Sequence, residues 1–213
     1  MPGYEPCNDF MVFIDSKQYI GIMIINANYR VVINIALGLI LVLLSLALFL
    51  RYQDLKGAEN FKPVPLPEFT QTNQNAWLNS KPLQVNDLKG KVVLMDIWTF
   101  ECWNCYRSFP WLKQIEKNFP ADLQVIGIHT PEFAHEKIRK NVVAKTREFG
   151  LAHPVMMDND FAYWKALNNR YWPAFYVIDK KGIIRGRYIG EIHVGDRNAN
   201  AVEKLVRKLI AEK

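Results

Sequence analysis

Cysteine is scarce in this chain. Three residues, Cys7, Cys102 and Cys105, stand among 213. That is too few for a disulfide-stapled scaffold, so a hydrophobic core must hold the fold. Histidine does not make up for it. His129, His135, His153 and His193 form no H-x₃₋₅-H pair, and the step from His129 to His135 is the nearest approach. A structural zinc site wants four ligands, so neither a metal nor a cofactor is expected. Long runs of one charge are missing too. The net charge is +6, and residues 61–213 hold 23 Lys/Arg against 16 Asp/Glu. These charges are dispersed and read as a solvated surface with some attraction to anionic headgroups. No nucleic-acid motif is present, and no nucleic-acid partner is expected.

What is present centres on Lys91 to Cys105. Val92, Val93, Leu94 and Ile97 read as a buried strand. After a short turn, Phe109, Leu112, Ile115 and Phe119 recur at helical spacing. Cys102 and Cys105 fall where that helix begins. Two intervening residues there let the sulfurs reach disulfide distance. The first sulfur also faces unpaired N–H groups at the positive end of the helix dipole, which favours the nucleophilic thiolate. A lone CxxC can be half of a metal site, a structural staple or a redox pair. Its place after a strand and before a helix favours redox chemistry.

The stretch resembles the thioredoxin-fold oxidoreductases. Asp96 matches their buried acid, Trp98 the tryptophan beside the active site, and Pro110 the proline of the first helix. Tyr171-Trp-Pro-Ala174 looks like the cis-proline loop that faces the cysteines. Trp98-Thr-Phe-Glu-Cys-Trp-Asn-Cys105, Gly127-Ile-His-Thr-Pro-Glu132 and Asn169-Arg-Tyr-Trp-Pro-Ala174 resemble the thioredoxin-like domain of DipZ proteins, in the TlpA/ResA group. The resemblance runs from about Pro67 to Glu191. It implies an α/β thioredoxin fold: a mixed central sheet flanked by helices, with an extra βα insertion between Gly127 and Pro173.

The N-terminal third lies outside it. Residues 1–30 form a lead with no evident stable unit, in which Met11 and Met23 are alternative starts and Cys7 has no assigned role. Residues 31–50 carry no charge, and twenty helical residues rise ~30 Å, the thickness of a bilayer's hydrocarbon core. They read as one uncleaved transmembrane anchor. Lys17 and Arg30 before it, and Arg51, Lys56 and Lys62 after it, are near balance and lean slightly against an external C-terminal domain. The expected placement, a single pass in the inner membrane with the catalytic domain in the periplasm, is instead what the resemblance implies, since a tethered CxxC domain of this kind suits a compartment where disulfides persist. Residues 51–67 read as a Pro-rich linker, extended from Lys62 to Pro67. Residues 68–213 are the thioredoxin-like domain.

Within that domain, Phe69 to Leu88 reads as a hairpin-like lead-in with Trp77 as a core anchor, and 86–90 as a turn. Leu123 to Ile128 is the second buried strand. Pro131 opens a helix over Glu132 to Phe149, which Gly150 ends. A strand over 154–157, a helix over 161–167, strands over 174–178 and 183–189 joined at Asp179–Gly182, and a last helix capped by Asp196 complete the order.

The chemistry follows from these placements. Cys102, nearer the helix start, is the expected nucleophile, and Cys105 resolves the mixed disulfide. Asp96 is the expected proton acceptor for Cys105, through water. The resemblance implies that Pro173 is cis and that the Trp172 backbone receives an extended substrate segment. Trp98, Trp103 and Trp172 are expected to form an apolar lip. Glu101 stands where thioredoxin has tryptophan, and a carboxylate there opposes the thiolate. His129 and Glu132 follow the second strand within the DipZ-like motif; one reading brings them to the site, and the favoured one leaves His129 at the surface of a strand end. The partners implied are protein disulfides and dithiols plus a membrane electron donor, with the chain a monomer. Two other functions compete. In a peroxiredoxin-like peroxidase, Thr99 would stand three before the reactive cysteine, but Met95 replaces the proline of that motif. In a non-catalytic adaptor, the disulfide would be a staple.

Overall fold

A computed structural model describes Tyr29, residues 31–49 and residues 61–212. The lead over residues 1–28, with Cys7, and residues 51–60 of the expected linker lie outside the described residues. Two compact units divide at Gly57/Ala58. In the first, α1 (Val31–Phe49) is a 19-residue helix of mean hydropathy 2.9, long and apolar enough to cross a membrane.

The second unit is built on one seven-stranded sheet. Its strands are β1 (Val64–Pro65), β2 (Trp77–Leu78), β3 (Val92–Trp98), β4 (Leu123–His129), β5 (Val155–Met157), β6 (Ala174–Ile178) and β7 (Ile183–Ile189), in the spatial order β1-β7-β6-β3-β4-β5-β2. β4 lies parallel to both β3 and β5, while β6 and β7 run antiparallel. The helices are α2 (Trp103–Asn118), α3 (Arg139–Glu148), α4 (Ala162–Ala166) and α5 (Arg197–Ala211). This is the expected thioredoxin-like fold, and α3, β5 and α4 make up the expected insertion.

The central strand is buried on both faces, so its residues alternate between two cores. Val92, Leu94 and Trp98 join Phe109, Leu112 and Ile115 of α2 and Val202 and Val206 of α5. Val93, Met95 and Ile97 join Trp77, Leu88 and Tyr163 on the other side. Asp96 belongs by the same alternation to the α2 face, where Cys105 is also buried. The last helix is capped as expected, Asp196 accepting from the Ala199 N–H at 2.7 Å.

Three local readings change. Phe69 to Leu88 is no hairpin. It holds two 3₁₀ turns, Gln74–Ala76 and Val85–Leu88, and the two-residue β2, which pairs with β5 rather than with a near neighbour. Trp77 is nonetheless fully buried, its indole N–H donating to the Gln71 carbonyl. The expected extended stretch does not stay clear of the domain, because Val64 and Pro65 pair with Ile184 and Ile183 and Leu66 is buried. The helix expected from Glu132 starts late. Ala134–Lys137 is a 3₁₀ turn, Ile138 is extended, and α3 begins at Arg139. The cause is Glu136, whose side chain takes the N–H groups of Glu132 and Phe133. It closes a tight turn that an uninterrupted helix would open.

Candidate active site

Cys102 and Cys105 form a disulfide at the start of α2. Cys102 is the helix N-cap, and its sulfur accepts the Cys105 N–H at 3.1 Å. The strand-to-helix turn leaves Cys102 half-buried, while Cys105, a turn deeper, is wholly enclosed. A partner can therefore reach only the first sulfur. The second can be reached only from the first, the asymmetry that disulfide exchange through a mixed intermediate needs.

Asp96 lies under this helix with 1% of its surface exposed, and neither carboxyl oxygen has a hydrogen-bond partner among the described residues. Burial pushes its carboxyl up to about 8. It is thus mostly protonated near neutrality and still able to lose and regain a proton there.

Trp172–Pro173 is a cis peptide, as the resemblance implies. The Trp172 indole donates to the Thr130 carbonyl at 3.1 Å, and the Thr130 N–H bonds the Trp98 carbonyl at 3.0 Å. One side-chain and one backbone hydrogen bond thus tie this loop to the strand end that leads into the cysteines. Trp172 is half-buried and its ring lies 4.2 Å from that of Trp164. Trp103 is 65% exposed and stacks on Tyr106. Trp98 does not join them. It has no exposed surface and packs edge-on against Phe109 and His129, so a lip of tryptophans can use only Trp103 and Trp172. Gly127 permits this, since a Cβ there would stand 2.8 Å from the Trp98 indole nitrogen. Glu101 is exposed and pairs with His135 at 2.7 Å.

The expectation of a surface His129 is overturned. The side chain is fully buried between Trp98 and Phe100. Burial, against the pull of Glu136, lowers its pKa to about 4, so the ring is neutral. Its Nε2 lies 3.4 Å from the Thr99 hydroxyl. Glu132 is exposed.

Thr99, His129 and Glu136 come together next to the turn that leads into Cys102, and Glu136 is the member that sequence reasoning missed. Glu136 is wholly enclosed, and it accepts from the Thr99 hydroxyl, the Glu101 N–H at 3.0 Å, the Glu132 N–H at 2.6 Å and the Phe133 N–H at 2.8 Å. Burial pushes its carboxyl up, but these bonds outweigh it and hold the group below its ordinary value. One signal was available. An acid stands three residues after Phe133, as in a capping box, but phenylalanine is no usual N-cap. Among the described residues no group of three metal-ligating side chains comes together.

Comparison with known proteins adds to this geometry. The AhpC/TSA family model matches residues 64–187. Protein DipZ of Mycobacterium bovis is 40% identical over 141 residues, which are 63% of this chain and 19% of that protein. The chain spans no more than about a fifth of the curated relatives it matches first. Thiol-disulfide oxidoreductase YkuV of Bacillus subtilis is 27% identical over 148 residues, 70% of this chain and 95% of that one. A thioredoxin-like protein solved in solution in its oxidised form superposes with a TM-score of 0.59 at 27% identity, over 70% of this chain and 96% of its own. With the family matched over more than half of its length, on a thioredoxin-like fold bearing a cysteine pair, this chain belongs to the AhpC/TSA family.

Proposed function

We propose that the chain is a membrane-anchored thiol–disulfide oxidoreductase that reduces disulfides of protein partners outside the cytoplasm. The observation that carries this reading is the unequal burial of the two sulfurs: Cys102 reachable, Cys105 enclosed, Asp96 beneath them.

In the dithiol form, the Cys102 thiolate attacks one sulfur of a partner disulfide. A mixed disulfide forms and the partner's other sulfur leaves as a thiolate. Cys105 gives its proton to the Asp96 carboxylate through water and attacks the Cys102 sulfur. The partner departs with both its sulfurs reduced, and the chain is left as the Cys102–Cys105 disulfide. A membrane electron donor returns two electrons and two protons. Trp172 offers its backbone beside Pro173 to an extended partner segment, while exposed Trp103 supplies apolar contact. Glu101 acts on poise: a carboxylate beside Cys102 disfavours the thiolate, which lowers the stability of the reduced form and favours reduction of partners.

In this reading residues 31–50 hold the chain as a single pass in the inner membrane, residues 51–67 link it to the domain over 68–213, and the domain faces the periplasm. Residues 1–30 are an N-terminal lead with no assigned role. The domain works as a monomer and engages no nucleic acid. The peroxidase alternative is not favoured by the geometry, because the Thr99 hydroxyl is committed to Glu136.

The test is trapping. Cys105→Ser should accumulate mixed disulfides with extracytoplasmic proteins, visible on non-reducing gels and abolished by dithiothreitol. Cys102→Ser should trap none. Equal trapping by both variants, or by neither, refutes the assignment.

A further inference from the structure

Glu136 is not used in the mechanism above, yet it bonds the turn before Cys102 at two points. Its carboxylate is enclosed and bonds the Thr99 hydroxyl and the Glu101 N–H, so it meets the two residues that lead into Cys102. The N–H groups of Glu132 and Phe133 hold its other oxygen. These donors are neutral dipoles, which stabilise the charge without cancelling it. His129 is the basic group on the same hydroxyl. Burial keeps it uncharged, its pKa lowered to about 4, so it supplies no compensating cation near neutrality. His135 faces outward and is engaged with Glu101.

A negative charge with no exposed surface is therefore bonded to the turn that leads into Cys102, where it is screened less than an exposed carboxylate would be. From Glu136 Oε1 to the Cys102 sulfur the bonded path through Glu101 is short. A hydrogen bond of 3.0 Å reaches the Glu101 N–H, and the residue that follows Glu101 is Cys102. Such a charge opposes the Cys102 thiolate. Only the reduced form carries a thiol that can ionise, so the charge weakens the reduced form and leaves the disulfide untouched.

Resting on the function proposed above, we infer that Glu136 is a buried redox-tuning and positioning carboxylate: it fixes the Thr99–Glu101 turn and makes the Cys102–Cys105 pair a stronger reductant. Exposed Glu101 acts in the same direction but is screened by water and shared with His135. Glu136 is neither.

The experiment is a redox titration of the full chain in detergent against glutathione. One protein disulfide and two glutathione thiols exchange for one protein dithiol and one glutathione disulfide, so electrons balance without another reactant. For Glu136→Gln the equilibrium should move toward the dithiol about tenfold, equivalent to a potential about 30 mV higher. Cys102 should also alkylate faster near neutral pH. Glu132→Gln, which removes an exposed carboxylate four residues away, should change the equilibrium by less than about twofold. The Gln amide has one accepting oxygen, so its NH2 must face either the Glu101 N–H or the Glu132 and Phe133 N–H groups, and this variant risks misfolding. In that event Phe133→Lys, at a half-exposed position, sets a cation beside the carboxylate and should raise the potential by a smaller step. A folded Glu136→Gln protein with the wild-type potential overturns the inference and shows a structural clamp only. So does a Phe133→Lys protein with no rise. Failure of the wild-type pair to titrate at all instead overturns the proposed function.

Discussion

Replacing Asp96 by asparagine removes one ionisable group and almost no volume. The expected consequence is a change in how stability depends on pH. Asp96 titrates at 3.8 when the chain is unfolded and at about 8 in the native protein, because burial penalises its charge. A carboxyl raised in this way binds its proton more tightly in the folded state. Its contribution is fully present below about pH 4 and is lost as pH rises through about 8. Each pH unit between those limits costs ~1.4 kcal/mol, so about 4 kcal/mol is gone by pH 7. Asparagine carries no such dependence. Urea unfolding of the oxidised domain, residues 61–213, should be run in parallel for wild type and Asp96→Asn from about pH 4 to about pH 8. Other titrating groups cancel in the difference. That difference should swing toward the variant by about 4 kcal/mol between about pH 4 and about pH 7, whatever offset the new amide adds. Parallel curves would mean that Asp96 ionises as an ordinary carboxylate and would remove it as a proton acceptor near neutrality. The same variant should slow release of partner from the mixed disulfide while leaving its formation unchanged.

Other outcomes are expected from packing. Gly127→Ala should destabilise the domain by about 1–3 kcal/mol, read as a lowered melting temperature, since the new methyl would press on the enclosed Trp98 indole. Trp103→Ala should leave the melting temperature unchanged, the ring being 65% exposed, but should raise KM for protein disulfides more than for glutathione disulfide. Asp196→Ala should cost about 1 kcal/mol in urea unfolding through loss of the α5 cap, with no change in thiol reactivity.

Much of this protein follows from short-range sequence pattern. The alternation of β3, the spacing of Cys102 and Cys105, the start of α2, the Asp196 cap and the long apolar run of α1 each depend on residues close together in the chain. Local rules of pleat, turn and helix decide them. The buried Asp96 was legible for the same reason, as the one acid inside an otherwise apolar strand.

What the tertiary structure decided is which side chains lose water and which distant groups meet. Trp98 reads in sequence as a rim residue and packs as core, because α2 and α3 close over it. His129 ends a strand and looks exposed, but Phe100 and Trp98 enclose it and strip its charge. β2 pairs with β5 across about eighty residues, a register no local signal sets. Glu136 meets Thr99 and Glu101 across separations of 37 and 35 residues. The sequence by itself determined where the redox pair is and which end of the helix holds it. Only the folded chain determined the charge and solvent around that pair, because burial and long-range hydrogen bonds are properties of surfaces brought together, not of neighbours in sequence.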